Sequence, residues 1–145
     1  MDELFLIGIG TGNPDHLTLQ AIKAMRGAEL ILIPKKGPDK SDLAGLRHAM
    51  LAEHAPLVPV VEFDMPKRDA SAGYLAGVEA WHDAIAREWI GAVGRADARS
   101  GGGAEFSQKI RRVALLVWVD PSLYDSTLRI AARLDPRPKV TVIPA

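Results

Sequence analysis

The chain alternates short, almost wholly apolar runs with longer stretches in which apolar residues recur every three or four positions. Five runs of the first kind occur: LFLIGI, AELILIP, PLVPVVEFDMP, VALLVWV and KVTVIPA. Runs this short, apolar at consecutive positions, suit strands buried on both faces. Pro59 inside the third run removes a ladder donor and marks an edge or irregular strand. Between the runs, LTLQAIKAM puts Leu17, Ala21, Ala24 and Met25 on one helical face, with Asp15 or Thr18 to cap it and Gly27 to close it in a left-handed conformation. SDLAGLRHAMLAEHA reads as a second helix with Ser41 or Asp42 as its cap. SAGYLAGVEAWHDAIAREWIGAV reads as a long third helix, on which Tyr74, Val78, Trp81, Ile85 and Trp89 keep helical spacing. STLRIAARL supplies a short fourth. Residues 94–109, GRADARSGGGAEFSQK, hold three consecutive glycines and little apolar periodicity, which predicts a flexible loop.

Strand and helix therefore alternate through the whole chain. The pattern predicts one α/β domain over residues 1–145, a five-stranded, mainly parallel sheet with helices on both faces. Ligands on such sheets bind beyond the carboxyl ends of the strands. Two turns fall there: GIGTGNP after the first strand and WVDPSLYDS after the fourth.

Composition narrows the chemistry. The 145 residues include 18 basic and 18 acidic side chains, a formal net charge of +0, which argues against a nucleic-acid-binding surface. There is no cysteine, so disulfides, thiolate metal sites and a cysteine nucleophile are excluded. His16, His48 and His54 lack metal-ligand spacing, and no metal is expected. No apolar run approaches the roughly 20 residues of a membrane span. The acidic start MDELF does not suit a secretion signal, so a cytoplasmic protein without a membrane or nucleic-acid partner is expected.

The first turn invites a nucleotide-binding reading, and its spacing defeats it. A dinucleotide fingerprint needs G-x-G-x-x-G and an acid at the end of the second strand. Here Gly8, Gly10 and Gly12 bring the third glycine one residue early, and the second strand ends ILIPKK. A phosphate loop would need Gly-Lys-Ser/Thr, which is absent. The glycines otherwise make a tight strand-to-helix turn.

GIGTGNPDHLTLQA resembles the first motif of the tetrapyrrole methylases, G-x-G-x-G-x-P-x-x-L-T-x-x-A: Gly8, Gly10, Gly12, Pro14, Leu17, Thr18 and Ala21 all match. Their second motif, a Gly-Asp-Pro turn after strand four, is similar to VWVDPSLYDST, with Asp120 and Pro121 in place and Val119 where the family has glycine. KGPDKSDLAGLR, MPKRDASAGYLAGVEAWH and VWVDPSLYDSTLRI resemble the precorrin-6A synthase (deacetylating) branch.

That resemblance implies the amino-terminal domain of an S-adenosylmethionine-dependent methyltransferase of cobalamin biosynthesis, usually a homodimer. It would methylate C1 of precorrin-5 and release acetate to give precorrin-6A. By the same resemblance Pro14, Trp118, Val119, Asp120 and Leu123 would bind the cofactor. Gly8, Gly10 and Gly12 would lie under the tetrapyrrole. Asp15 is placed either to orient a substrate group or to cap a helix. Lys67 and Arg68 sit in a short loop, either to pair with substrate carboxylates or as an exposed charge pair. Trp81 and His82 read as packing. Methyl displacement chiefly needs alignment, and no catalytic acid or base is assigned.

Two departures from the family pattern carry expectations of their own. The family's fifth strand continues into a Pro-Gly-x-Ser/Thr turn and a second domain, whereas here Ala145 follows Pro144. Val119 in place of glycine would be strained at a positive φ. Together they predict little or no activity for this polypeptide alone. Alternatives are a precorrin methyltransferase acting at another ring carbon, a non-catalytic domain that dimerises, and, by fold analogy alone, a mononucleotide-binding domain.

Overall fold

A computed structural model describes residues 1–35, 41–68, 71, 73–100, 109–122 and 126–145. Its strands are β1 (Glu3–Gly8), β2 (Leu30–Lys35), β3 (Val60–Asp64), β4 (Arg112–Val117) and β5 (Lys139–Ile143). The helices are α1 (Leu19–Gly27), α2 (Ser41–His54), α3 (Tyr74–Ser100) and α4 (Ser126–Ala131), with a 3-10 turn at Pro14–His16. The strands form one sheet in the order β3-β2-β4-β1-β5, and every pairing is parallel. β3 lies at an edge, as Pro59 predicts. That proline has no N–H, but its carbonyl accepts Ile31 N–H at 3.0 Å.

Each central strand divides its side chains between two cores. Leu4, Leu6, Leu30, Leu32, Val113 and Leu115 face α3 and α4. Ile7, Ile31, Ile33, Ala114 and Leu116 face α1 and α2. The period of two along a strand produces this division, and burial on both sides explains why polar residues are missing from the runs. At roughly 1.5–3 kcal/mol for each buried Leu, Ile or Val side chain, these two layers supply most of the drive to fold.

Several local expectations change. Thr18, not Asp15, caps α1: its Oγ1 accepts Ala21 N–H at 3.0 Å. Gly27 does not turn left-handed; it stays in the helix and Ala28 is the extended cap. Ser41 and Asp42 fall inside α2 rather than before it. Tyr74, at the start of α3, is exposed, while Ile85 and Trp89 are buried as their spacing predicts.

The largest difference concerns residues 94–109. α3 runs to Ser100, so residues 94–100 are helical rather than loop. Ala92, Val93 and Ala96 are buried against the sheet, and Asp97 Oδ1 accepts Ile110 N–H at 2.9 Å. That burial outweighs the ~1 kcal/mol helix penalty of Gly94. Residues 101–108 lie outside the described residues.

Candidate active site at the carboxyl end of the sheet

β1 leads into α1 on one face and β4 into α4 on the other, so the two turns part company above the β1/β4 crevice. They are nevertheless tied together. Gly10 N–H donates to the Val119 carbonyl at 3.0 Å, and Val119 N–H to the Gly10 carbonyl at 2.9 Å, a one-residue antiparallel bridge. Three of the residues that shape this lip have positive φ: Gly10 at 59°, Gly12 at 90° and Val119 at 64°. Val119 is the one non-glycine residue of that kind among the described residues. Its branched side chain costs about 1–3 kcal/mol there.

The three glycines have different reasons. A Cβ on Gly12 would sit 2.6 Å from the Trp118 ring, and one on Gly8 2.9 Å from the backbone nitrogen of Ala145. Those two positions are filled by the protein's own packing. A Cβ on Gly10 would meet nothing within 4 Å, so of the three it is Gly10 that leaves open space beside the lip.

Asp120 holds the second turn. Its Oδ1 accepts the Ser122 N–H at 2.9 Å and the Ser122 hydroxyl at 2.6 Å, and its Oδ2 accepts Ala145 N–H at 3.2 Å. The Ser122 hydroxyl above all, then the Ser122 and Ala145 backbone N–H groups, keeps the carboxyl below its ordinary value. On the other side His54 Nε2–H donates to the Pro14 carbonyl at 3.2 Å, pinning the 3-10 turn to the end of α2. Asp15, exposed, uses its backbone N–H on the Asn13 side chain.

Beside the lip a cavity of about 380 Å³ opens between the ends of β2, β3 and β4 and the helices α3 and α4. Its walls are mainly apolar: Phe63, Met65, Trp81, Trp89 and Trp118 among them. Arg47, on α2, also borders it; it is 9% exposed and donates Nε–H to the Leu116 carbonyl at 3.1 Å. Burial pulls its guanidinium below the ordinary arginine value. Trp81 donates Nε1–H to the Pro66 carbonyl at 2.7 Å and stacks on His82. That bond fixes the loop carrying Lys67 and Arg68, both exposed, with Arg68 lying 5.2 Å from the Tyr74 ring centroid.

Comparison with known proteins decides the family. Residues 3–145 match the family model of the tetrapyrrole (corrin/porphyrin) methylases. The chain belongs to that family. It is 37% identical over 143 residues to a precorrin-6A synthase [deacetylating] of Sinorhizobium sp., covering 97% of this chain and 51% of the relative. A cobalamin-synthesis-related protein, CobF, of Corynebacterium diphtheriae is 36% identical, with a TM-score of 0.65 over 99% of this chain and 53% of the other. A uroporphyrin-III C-methyl transferase of Thermus thermophilus, solved with S-adenyl homocysteine, shares the fold at 20% identity and a TM-score of 0.51, over 99% of this chain and 48% of the other. The chain spans about half the length of these relatives.

In this methylase domain the sequence-predicted residues divide. Gly10, Trp118 and Val119 share the lip, and Trp118 and Val119 also border the cavity. Pro14 and Asp120 flank it as part of the two turns. Gly8 and Gly12 serve internal packing, Asp15 faces solvent and Arg68 stacks on Tyr74. Leu123 lies outside the described residues. Sequence reasoning missed Arg47 and gave Trp89 to packing alone. The signal for Arg47 was present: it stands three and four residues before Met50 and Leu51, a lone cation on the apolar stripe of α2. Among the described residues no His/Asp/Glu group of three or more is arranged to hold a metal, and no helix is long and apolar enough to cross a membrane.

Proposed function

We propose that the chain is the amino-terminal domain of an S-adenosylmethionine-dependent precorrin-6A synthase, which methylates C1 of precorrin-5 with release of acetate in cobalamin biosynthesis. The observation that carries this reading is the Gly10–Val119 bridge, which joins both family turns into one lip beside an aromatic cavity. The identities of 37% and 36% to a precorrin-6A synthase and a CobF protein support this branch over methylation at another ring carbon.

When bound, S-adenosylmethionine supplies an electrophilic methyl group on a sulfonium. The residues for its side of the lip are Pro14, Trp118, Val119 and Asp120, with Leu123 by family resemblance. The open side of Gly10 and the exposed face of Val119 leave room for a ligand there. The role of Asp120 is positional, since both its oxygens already brace the turn. Gly10 lets the macrocycle approach backbone without a side chain intervening. The rigid lip contributes alignment, the main requirement of a methyl displacement.

A homodimer in the cytoplasm completes the reading; exposed Leu19, Leu57 and Leu75 offer apolar surface for association. The test is a chimera in which residues 1–145 replace the matching half of the Sinorhizobium enzyme. It should bind S-adenosylhomocysteine by calorimetry and form precorrin-6A. A folded chimera that binds no S-adenosylhomocysteine sinks the proposal.

A further inference from the structure

Val119 joins two features that seldom occur together. Its φ of 64° is strained for a β-branched residue, yet its side chain is 37% exposed. Full burial of a valine could offset such strain, but this one leaves over a third of its surface to solvent. Strain kept without that burial points to a ligand. The surroundings say which kind. Val119 lines the cavity of about 380 Å³ together with Pro34, Met65, Trp81 and Trp118, all half-buried. Trp81 has its one polar side-chain atom on the Pro66 carbonyl, so it offers the cavity ring carbon. Gly12 seats Trp118, since a Cβ there would lie 2.6 Å from the ring. No described residue lining the cavity is acidic, and Arg47, the one charged residue among them, donates to the Leu116 carbonyl. An apolar cavity of about 150 Å³ already holds benzene, so this one has room for more than one ring. The lip stands above the β1/β4 crevice, where the strand order reverses, and the cavity lies to the β2 and β3 side of it. Val119 borders both.

We propose that Val119 is a specificity-determining residue, its isopropyl group forming the wall against which an uncharged, apolar edge of the methyl acceptor packs in this cavity. The inference rests on the function proposed above. A tetrapyrrole edge presents ring carbons and methyl groups, which match such walls. The adenine ring of the methyl donor is a second flat, uncharged source, but its rim of ring nitrogens finds few polar partners on these walls. Val119 then stands between donor and acceptor, and alignment of the two is what the displacement needs. Glycine at this position would relax the backbone and remove the wall.

The probe is 2-naphthalenemethanol, neutral and two rings wide, titrated into the full chain labelled with nitrogen-15. All three tryptophans border the cavity, so their indole N–H resonances report its occupation. The probe should shift those of Trp81 and Trp118. V119G should bind it about fivefold more weakly or less tightly still, as expected for loss of a side-chain contact, while its ligand-free melting temperature rises. A merely structural Val119 would do the reverse, losing melting temperature and leaving the affinity unmoved. V119A, which removes two methyl groups without glycine's freedom, should weaken the probe in the same direction, and it decides the matter should V119G fail to fold by circular dichroism. No shift of Trp81 and Trp118 up to the solubility limit of the probe, or unchanged affinity in a folded V119G or V119A, would overturn the proposal. Competition separates the two sources. Uroporphyrin III should displace the probe; displacement by S-adenosylhomocysteine alone, or by neither, would overturn the assignment to the acceptor. Failure of the methyltransferase reading would show separately, as a chimera that binds no S-adenosylhomocysteine.

Discussion

At the amino end of the sheet, Glu29 Oε1 accepts the Arg111 and Arg112 N–H groups at 2.9 and 2.8 Å, and Arg112 Nε–H donates to the Gly27 carbonyl at 2.8 Å. Asp2 and Glu3 N–H groups both reach the Arg111 carbonyl, and the Asp2 carbonyl accepts Lys139 N–H. The described backbone there has no positive φ. At the carboxyl end a valine is held at φ 64°, a guanidinium and an indole N–H are buried, and an apolar cavity stays open. One end is tied by polar pairs around an open, charged cavity; the other keeps backbone strain and one buried donor, the Trp89 N–H, that meets no acceptor among the described residues. Features of that kind gather where a fold is shaped for a ligand, and here they coincide with the end at which parallel sheets bind them.

The strongest way to break this comparison is inside the lip. G12A places a methyl group 2.6 Å from Trp118 at a φ of 90° and should cost about 2–4 kcal/mol in urea unfolding. G10A, with positive φ but no neighbour within 4 Å, should cost only about 1–2 kcal/mol. Equal costs would show that Trp118 does not press on the turn. Next in size, V119G removes the strain and adds glycine's entropy, a net gain of about 1 kcal/mol. For a domain of this size the melting temperature should rise by roughly 2–4 °C. A lower melting temperature would mean that the valine side chain contributes more packing than it costs in strain.

The smallest effect belongs to the amino end. The Arg112 N–H above all holds the Glu29 carboxyl below its ordinary 4.5, with the Arg111 N–H and both guanidinium charges adding, against a partial desolvation. A depressed value stabilises the fold above the unfolded pKa and is lost as pH falls through the folded one. Stability should therefore decline below about pH 4.5, and E29Q should flatten that limb. Because Glu29 is only half-buried, solvent screens it and the change should be roughly 0.5 kcal/mol or less. Asp120 titrates in the same direction at the other end. D120N should therefore flatten the acid limb too, and amide exchange at Ala145 should quicken as its acceptor weakens. An acid limb unchanged in both variants would place the acid sensitivity elsewhere.

The elements were legible where local chemistry decides them. Period two and period 3.6 are properties of neighbouring residues, so the described strands and helices can be read along the chain, while the choice of Thr18 over Asp15 as the α1 cap came from the structure. The extension of α3 to Ser100 was not legible, because Gly94 and the following polar residues look like loop until Ala96 is seen against the sheet. Trp89 could be assigned to a core from its spacing, but its unmet N–H is a fact about its surroundings.

By itself the sequence determined the α/β order, the family motif at Gly8 to Ala21 and the exceptional Val119. These follow from residue types at fixed spacings. Only the tertiary structure decided that Gly8 and Gly12 serve packing while Gly10 stays open, and that Val119 sits at φ 64° in a bridge to Gly10. It alone brought Arg47 to the end of β4, across 69 residues of chain. The physical reason is that a parallel sheet lays distant segments side by side, and close approach between them leaves no trace in the spacing of either.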